Sequence, residues 1–206
     1  ACACPDGSPG QRECGPDRLL GPCECGDAST SGWDSSTGGD WPDIPDVPPG
    51  AVCLPEDSPC SGDFVVNSDE ELAALSTCSR IQGGLFIEGN VHTLQPLGCL
   101  RTVEGVLVIA QTELLDLDAL GVGSADTLVI AENDQLLTLD LPAINAIGDF
   151  LVLQNPSLLD LQLGNLDTVV SLEFTGNTML PDCMIADLIA LTFPESVVCS
   201  GNLESG

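Results

Sequence analysis

Hydrophobic positions recur along the second half of the chain in short, closely similar strings. The strings follow one another at 21 to 23 residues, with a longer last step, and are LFIEGN (85–90), LVIAQT (107–112), LVIAEN (128–133), LVLQN (151–155), LEFTGN (172–177) and VVCSGN (197–202). Apolar residues at every second position are typical of a strand with one buried face. Because a repeat this short cannot bury its own apolar face, the pattern predicts a mainly β solenoid of stacked repeats.

Each repeat divides into two predicted strands and two turns. The inward positions predicted for the first strand are Leu85 and Ile87, Leu107 and Ile109, Leu128 and Ile130, Leu151 and Leu153, and Leu172 and Phe174. The following turn carries a column whose side chains can bond the backbone and one another, formed by Asn90, Thr112, Asn133, Asn155 and Asn177. The second strand is predicted in LLDLDAL (114–120), LLTLDL (136–141) and LLDLQL (158–163). Apolar anchors are expected in the looser turn, at Leu97, Leu100, Val103, Ile144 and Ile147.

Short helices are predicted at both ends of the repeats. A strand at DFVV (63–66) leads into a helix over DEELAALSTC (69–78), with Asn67 or Ser68 as its N-cap and acids in its first turn. A second helix is predicted over PDCMIADLIALTF (181–193), before the last string. These helices would cap a stack whose open ends otherwise expose strand backbone.

Composition divides the chain into three predicted regions. Residues 1–26 hold five cysteines among Gly and Pro, which is typical of a small disulfide-rich knot. Residues 27–52 are rich in Asp, Ser, Gly and Pro, as in an extended linker. Residues 53–206 form the predicted solenoid.

The net charge and the cysteine content indicate the cellular compartment of the protein and the classes of partner that it can bind. The formal charge of −28 arises from 32 acids against four arginines, and such a chain repels nucleic acid and anionic membrane surfaces. A chain with this charge suits cations, basic partners or a salty medium. A simpler explanation of the charge is that the acidic surface only keeps the protein soluble. Eleven cysteines without zinc-like spacing indicate an oxidising compartment, and no apolar run predicts a transmembrane segment. We therefore expect an extracellular or cell-surface protein.

One stretch resembles a known family. The order of cap strand, helix and Cys78, followed by SRIQGGLFIEGN (79–90), resembles the opening of a receptor L-domain. That family has a leucine-rich, right-handed β-helix-like fold, and the resemblance covers residues 60–203. The Cys2–Cys25 run is similar to cysteine-rich segments that precede such modules in bacterial surface lipoproteins. The resemblance implies extracellular recognition without naming a ligand.

The cysteines of the predicted solenoid can be paired by position. Cys78 and Cys99 precede consecutive repeats, Cys183 and Cys199 flank the C-terminal helix, and Cys53 and Cys60 are close in sequence, so each pair is a predicted disulfide. Five cysteines remain, which are Cys2, Cys4, Cys14, Cys23 and Cys25. Because five is an odd number, one of them has no partner within this group. This unpaired cysteine has three explanations: its partner was lost by truncation, it is Cys2 and carries a lipid anchor, or it bonds another chain. A mature lipoprotein would begin at the lipidated cysteine, so Ala1 before Cys2 argues against the lipid anchor.

The outward positions of the first strands form an apolar strip. Its predicted members are Phe86, Val106, Val108, Val129, Phe150 and Val152, and Glu173 interrupts it. A strip of this size indicates either an interface or a face covered by the same chain. Trp33 and Trp41, in the linker, are the candidates to dock on it.

The outward positions of the second strands are polar. They are Asp116, Asp118, Thr138, Asp140, Asp160 and Gln162. Asp118 and Asp140 should lie one repeat apart, about 5 Å, so they could share a calcium ion. Because no calcium-binding loop motif is present, solvated acids are the simpler interpretation.

The sequence predicts a binding protein and not an enzyme. The single histidine, His92, has no nucleophile motif beside it, and no Gly-rich phosphate loop is present. The leading hypothesis is a surface recognition or adhesion module that binds a protein or a glycan through the apolar strip. The alternative is a structural protomer of an extracellular assembly that binds copies of itself, with linker docking or an intersubunit disulfide.

Overall fold

A computed structural model describes residues 58–203 apart from Gly164, together with the backbone of Cys2–Ala3 and Pro9–Gly10. The predicted linker, with Trp33 and Trp41, and Cys53 lie outside the described residues. So do the side chains of the five cysteines of the predicted knot.

The described chain is mainly β, with few and short helices. The strands are β1 (Cys2–Ala3), β2 (Pro9–Gly10), β3 (Pro59–Ser61), β4 (Phe64–Ser68), β5 (Arg80–Gln82), β6 (Leu85–Asn90), β7 (Thr102–Thr112), β8 (Ser124–Ala131), β9 (Thr138–Asp140), β10 (Ala146–Leu153), β11 (Asp160–Gln162), β12 (Thr168–Thr175) and β13 (Ser196–Ser200). The helices are α1 (Asp69–Ala73) and α2 (Asp182–Thr192), with a 3-10 turn at Gln95–Leu97.

The repeats pair side by side in one parallel sheet. Nine strands belong to it, in the order β13-β12-β10-β8-β7-β5-β3, with β6 beside β7 and β4 beside β6. The long strand β7 spans the places of β5 and β6, so its two halves pair with different strands of the preceding repeat. A separate pair of parallel strands, β9 and β11, is formed by the second segments of two repeats. Parallel pairing of equivalent strands brings successive repeats into register.

The core consists of columns of side chains from equivalent positions. One column runs through Leu85, Leu107, Leu128, Phe150 and Leu172, each at most 1% exposed. A second column runs through Ile87, Ile109, Ile130, Val152 and Phe174, each 0% exposed. The predicted turn anchors Leu97, Leu100, Val103, Ile144 and Ile147 are buried as well. Each fully buried aliphatic side chain contributes about 1.5–3 kcal/mol to folding.

The inward prediction is wrong in one repeat, by one residue. In β10 the buried residues are Phe150 and Val152, and Leu151 and Leu153 face outward. Phe150 aligns with Leu128 of β8 and makes an edge-to-face contact with Phe174, with ring centroids 5.6 Å apart. Matching LVLQN to LVIAEN by their first letters causes the error, since LVLQN is one residue shorter before its Asn.

A ladder of buried polar side chains runs along the turns, as predicted. Its members, which we call the Asn ladder, are Thr112, Asn133, Asn155, Asn177 and Asn202. The amide oxygen of Asn155 accepts from the backbone N–H of Asn133 at 3.1 Å, and its Nδ2 donates to the carbonyl of Ile130 at 3.0 Å. Asn155 and Asn177 repeat the same bonds one step further along. Asn90 is exposed and is not a member, contrary to the prediction.

The residue before each ladder member has a left-handed backbone. Gln111, Glu132 and Gln154 have φ values of 53°, 55° and 53°, and glycines fill the position before Asn177 and Asn202. A left-handed conformation costs a non-glycine residue about 1–2 kcal/mol. The hydrogen bonds of the Asn ladder offset this cost by satisfying the turn backbone.

The caps differ from prediction in extent. Helix α1 ends at Ala73 instead of continuing to residue 78; Ser68 caps it by accepting from the N–H of Glu71. Helix α2 occupies Asp182–Thr192, inside the predicted range. Strands β9 and β11 lie within two of the predicted second segments, but residues 114–120 form turns. The preceding repeat has a 3-10 turn at Gln95–Leu97 instead of a strand, so this segment has no strand to pair with on that side.

The disulfide prediction is wrong in its pairings. Cys60 bonds Cys78, with 5.7 Å between the Cα atoms, so neither the Cys53–Cys60 nor the Cys78–Cys99 bond exists. Strands β3 and β5 are parallel neighbours, and this places Cys60 opposite Ile81 and within reach of Cys78. Cys99 and Cys183 are also disulfide-bonded, whereas Cys199 is a free, exposed thiol on β13. The Cys183–Cys199 bond is therefore excluded.

Candidate interaction surface

The outward face of the parallel sheet carries an apolar column across five strands. Cross-strand neighbours place Val65, Phe86, Val108, Val129 and Leu151 side by side, and we call these residues the sheet column. Glu173 continues the column on β12 and ends its apolar part, as predicted. Beside it lie Ala110, Ala131 and Leu153, which widen the apolar area.

The column is continuous because equivalent strand positions are in register. Val65 at the outer end is 63% exposed, and the other four members of the sheet column are half-buried. Their partial burial is expected, because each has a neighbour about 4.8 Å away on either side. A polar border follows the column on one side, with Thr127, Asp149 and Ser171 in register.

The predicted strip is recovered only in part. Phe86, Val108 and Val129 lie in the sheet column. Val106 is 36% exposed but pairs with Thr127 in the polar border. Phe150 and Val152 are in the core, and Leu151 and Leu153 take their places. Whether Trp33 and Trp41 dock here falls outside the described residues.

A second outward face is acidic. Thr138 and Asp140 of β9 lie opposite Asp160 and Gln162 of β11, as the repeat spacing predicts. Burial raises the pKa of Asp140, and the negative charges of Asp118 and Asp160 raise it further. Burial also raises the pKa of Asp116, with added contributions from a hydrogen bond and charge repulsion with Asp118. The carboxylates on this face therefore repel one another.

This repulsion predicts a pH-dependent stability with a definite sign. A raised native pKa means that the folded state binds protons more tightly than the unfolded state. The contribution of Asp140 is therefore fully present below its ordinary pKa of 3.8, and it is lost as pH rises through the raised value. We expect Asp140→Asn to raise the urea midpoint at pH 7 and to leave it unchanged at pH 3. The gain at pH 7 should stay below about 1 kcal/mol, because the group is largely solvated.

Asp69 provides the control of opposite sign. The backbone N–H of His92 donates to its carboxylate at 2.9 Å, and this bond holds the pKa of Asp69 below its ordinary value. Its contribution is present above that ordinary value and is lost as pH falls. Asp69→Ala should therefore lower the urea midpoint at pH 7 and change it less at pH 3. Equal effects of Asp140→Asn at both pH values would contradict the assignment.

Sequence analysis missed a ridge of exposed leucines beside the acidic face. Leu115, Leu137 and Leu159 are 53%, 43% and 45% exposed, and we call them the leucine ridge. Each is the second residue of a Leu-Leu pair whose first member, Leu114, Leu136 or Leu158, is buried. The signal was present in the repeated LL pairs, since two adjacent residues of an extended segment point in different directions.

The described residues show no cluster of side chains placed to hold a metal ion. Between residues 58 and 203 no group of three or more His, Cys, Asp or Glu side chains is placed to hold a metal ion. The calcium hypothesis for Asp118 and Asp140 stays an untested prediction. The exposed imidazole of His92 contacts the carboxylates of Asp69 and Glu113, with its Nδ1 at 3.1 Å from the first and its Nε2 at 3.0 Å from the second. It thus ties α1 to the first repeats.

A shallow depression lies along the left-handed turn residues. It has a volume of about 560 Å³ and is lined by Gln111, Glu132, Asp134, Gln154, Pro156 and Gly176. Gln111 donates to the carboxylate of Glu132 at 2.7 Å, so the side chains along its floor bond one another. This hydrogen bond orders the outer edge of the turns.

Comparison with known proteins adds no relative. No family model matches the sequence, and no curated protein matches it either. Among the described helices, none combines the length and apolarity that crossing a bilayer requires. The sheet column, the acidic face and the leucine ridge are the distinctive surfaces of the described residues.

Proposed function

We propose that the chain is a non-enzymatic extracellular recognition module, built as a solenoid of the receptor L-domain kind. The parallel register of β6, β7, β8, β10 and β12 supports stacked repeats. The Asn ladder supports them too, since its bonds link residues 21, 22 or 25 apart in the sequence. Disulfide bonds in the described region agree with an oxidising, extracellular setting.

The sheet column carries the proposal. It presents aliphatic and aromatic side chains in one unbroken row across five strands, and the other exposed valines of the sheet, which are Val106, Val170, Val197 and Val198, do not belong to that row. Exposed apolar areas of this kind mark protein interaction sites in soluble proteins. Burial of such an area against a partner yields about 25 cal/mol for each Å² removed from water.

The chemistry of this face favours a protein partner over a glycan. Sugar-binding faces usually offer Trp or Tyr for stacking, and the repeats contain neither. Aliphatic side chains in an unbroken row suit an apolar protein surface. The polar border at Thr127, Asp149 and Ser171 would supply the hydrogen-bonding rim that interfaces of this type carry.

The test compares two charge insertions of equal size. Val129→Arg places a cation in the middle of the sheet column, and Leu191→Arg places one on α2, at a site that is 71% exposed and distant in the fold. Proteins captured from native extracellular material by the wild-type chain should be lost with Val129→Arg and retained with Leu191→Arg. Hydrogen exchange on the captured complex should show protection of β7, β8 and β10.

Two results would refute the proposal. One is that the Val129→Arg variant retains every captured partner while its circular dichroism matches that of the wild type. The other is protection confined to strands that do not carry the sheet column. If the wild-type chain captures a glycan and Val129→Arg does not, the sheet column is still the binding site, and the partner is a glycan instead of a protein.

One observation favours the alternative of a structural protomer. All five residues of β13 are exposed, and this strand is the last in the order of the sheet. Its outer edge offers backbone groups to another chain, and it also carries Val197, Val198 and the free Cys199. Burial and the charge of Asp182 raise the pKa of the Cys199 thiol, so it forms a thiolate less readily. On this alternative, sedimentation should show assemblies that persist in Val129→Arg, and a non-reducing gel should show a dimer that Cys199→Ser removes.

A further inference from the structure

The leucine ridge is a regular feature of the repeats and lies apart from the sheet column. The N–H of Leu137 donates to the carbonyl of Leu115 at 2.9 Å, and Leu159 donates to Leu137 at the same distance. Neighbouring ridge residues therefore follow the strand spacing of about 4.8 Å. Three half-exposed leucines in a line form an apolar track about 10 Å long.

Carboxylates flank the leucine ridge. Asp116 and Asp160 directly follow the ridge residues Leu115 and Leu159. Asp118 and Asp140 are the third residues after Leu115 and Leu137. Within residues 58–203 both arginines are engaged elsewhere: Arg80 bonds Glu104, and Arg101 donates to the carbonyls of Gly98 and Gly121. Burial and the charge of neighbouring carboxylates raise the pKa of Asp116 and of Asp140, so a cationic partner would relieve repulsion at this border of the ridge.

A depression opens at one end of the ridge. It has a volume of about 270 Å³, and its lining includes Leu115, Asp116, Asp118 and Ala119 on one side and His92 and Thr93 on the other. One repeat before Leu115 the corresponding residue is Thr93, so the smaller side chain ends the ridge and leaves this space. A space of this size, with Leu115 and Ala119 beside two carboxylates in a largely polar lining, fits the stem and charged head of one long basic side chain.

We propose that the leucine ridge and its carboxylates bind a cationic amphipathic helix of a partner protein. The helix lies along the ridge, with its apolar side chains against the leucines. A helix rises 5.4 Å per turn, so its apolar residues at each turn match ridge leucines about 4.8 Å apart to within about 1 Å over three repeats. Its lysines or arginines pair with the flanking acids, and one of them enters the depression.

Charge complementarity selects this occupant over others. An uncharged apolar partner would bury Asp116 and Asp140 without a counter-ion, which costs several kcal/mol per ion. An anionic partner, including an acidic membrane surface, would be repelled by the chain's charge of −28. A basic helix removes the carboxylate repulsion and covers the leucines in a single contact.

The probe is a synthetic peptide of eighteen residues with leucines at helical spacing and lysines on the flanks. Binding to the whole chain is measured by calorimetry at 50 mM and 300 mM salt. A peptide of the same composition in scrambled order, and one with glutamate in place of lysine, serve as matched ligands. We expect the ordered lysine peptide to bind, the scrambled peptide to bind at least tenfold more weakly, and the glutamate peptide not to bind.

Variants of the protein then distinguish binding to the leucine ridge from attraction to the overall negative charge. Leu137→Ser should weaken binding of the ordered peptide about tenfold at both salt concentrations. Asp118→Asn with Asp140→Asn should weaken binding mainly at 50 mM salt, where charges are screened least. Val129→Arg, in the sheet column, should bind the peptide as the wild type does. Because these positions are surface residues, circular dichroism of each variant should match the wild type.

Three outcomes would overturn the proposal. Equal affinity for the ordered and scrambled peptides would show that only net charge is recognised. Unchanged affinity in Leu137→Ser would remove the ridge from the contact. A loss with Val129→Arg equal to the loss with Leu137→Ser would move the contact to the sheet column. The first two results leave capture through the sheet column untouched, so the two proposals fail separately.

Discussion

Replacing Asn155 by alanine is expected to lower the free energy of unfolding by about 3 kcal/mol or more. Asn155 is 0% exposed and is the central member of the Asn ladder. Its removal leaves the N–H of Asn133 and the carbonyl of Ile130 without the bonds that it makes to them. Each buried group left unsatisfied costs about 1–3 kcal/mol, and these costs add to the loss of packing. Urea unfolding followed by circular dichroism measures the effect.

Asn90→Ala is the matched control. Asn90 precedes the ladder in sequence, and it is exposed. Its replacement should change stability by no more than about 0.5 kcal/mol. Similar losses in the two variants would mean that the Asn ladder contributes no more than any surface asparagine, which would contradict the account of the turns given above.

Replacing Phe150 by alanine is expected to cost about 3–5 kcal/mol, because it removes a fully buried ring from the core. The same ring contacts Phe174, so the cavity would extend between two repeats. Leu151→Ala, one residue away, should cost less than about 1 kcal/mol, since Leu151 lies half-buried on the outward face. The two urea midpoints compare the two positions directly.

The order of these two costs decides the register of β10. A one-residue shift in a strand moves every side chain to the opposite face. A larger loss for Leu151→Ala than for Phe150→Ala would therefore place Leu151 and Leu153 in the core. It would also remove Leu151 from the sheet column.

Most of the core could be predicted from the sequence, because a strand with one buried face has a strict period of two. Leu85, Leu107, Leu128 and Leu172 were placed correctly by that period. It failed in β10, where four consecutive apolar residues, Phe150 to Leu153, satisfy either register. The Asn ladder resolves the ambiguity, since the buried residue lies five positions before the Asn in each of these repeats.

The disulfides and the leucine ridge could not be predicted in the same way. Cys60 and Cys78 meet because β3 and β5 are neighbours in the sheet, and spacing along the chain does not contain that information. The exposure of Leu115, Leu137 and Leu159 depends on the backbone path at each Leu-Leu pair, where the two side chains point in different directions. Hydrophobicity alone assigns both residues of each Leu-Leu pair to the core, and only the backbone path shows which one it excludes.

The Asn ladder has a consequence for how such a chain can change in length. Each inner asparagine of the ladder bonds the repeat before it and the repeat after it, and its hydrogen bonds extend no further. Insertion of one whole unit would therefore restore every bond on both sides, because the new asparagine would serve both neighbours. Loss of a single residue between the buried strand position and its asparagine would instead displace that asparagine from its partners or turn the strand inside out. Duplication and deletion of complete units is thus the path by which this architecture can evolve while staying folded.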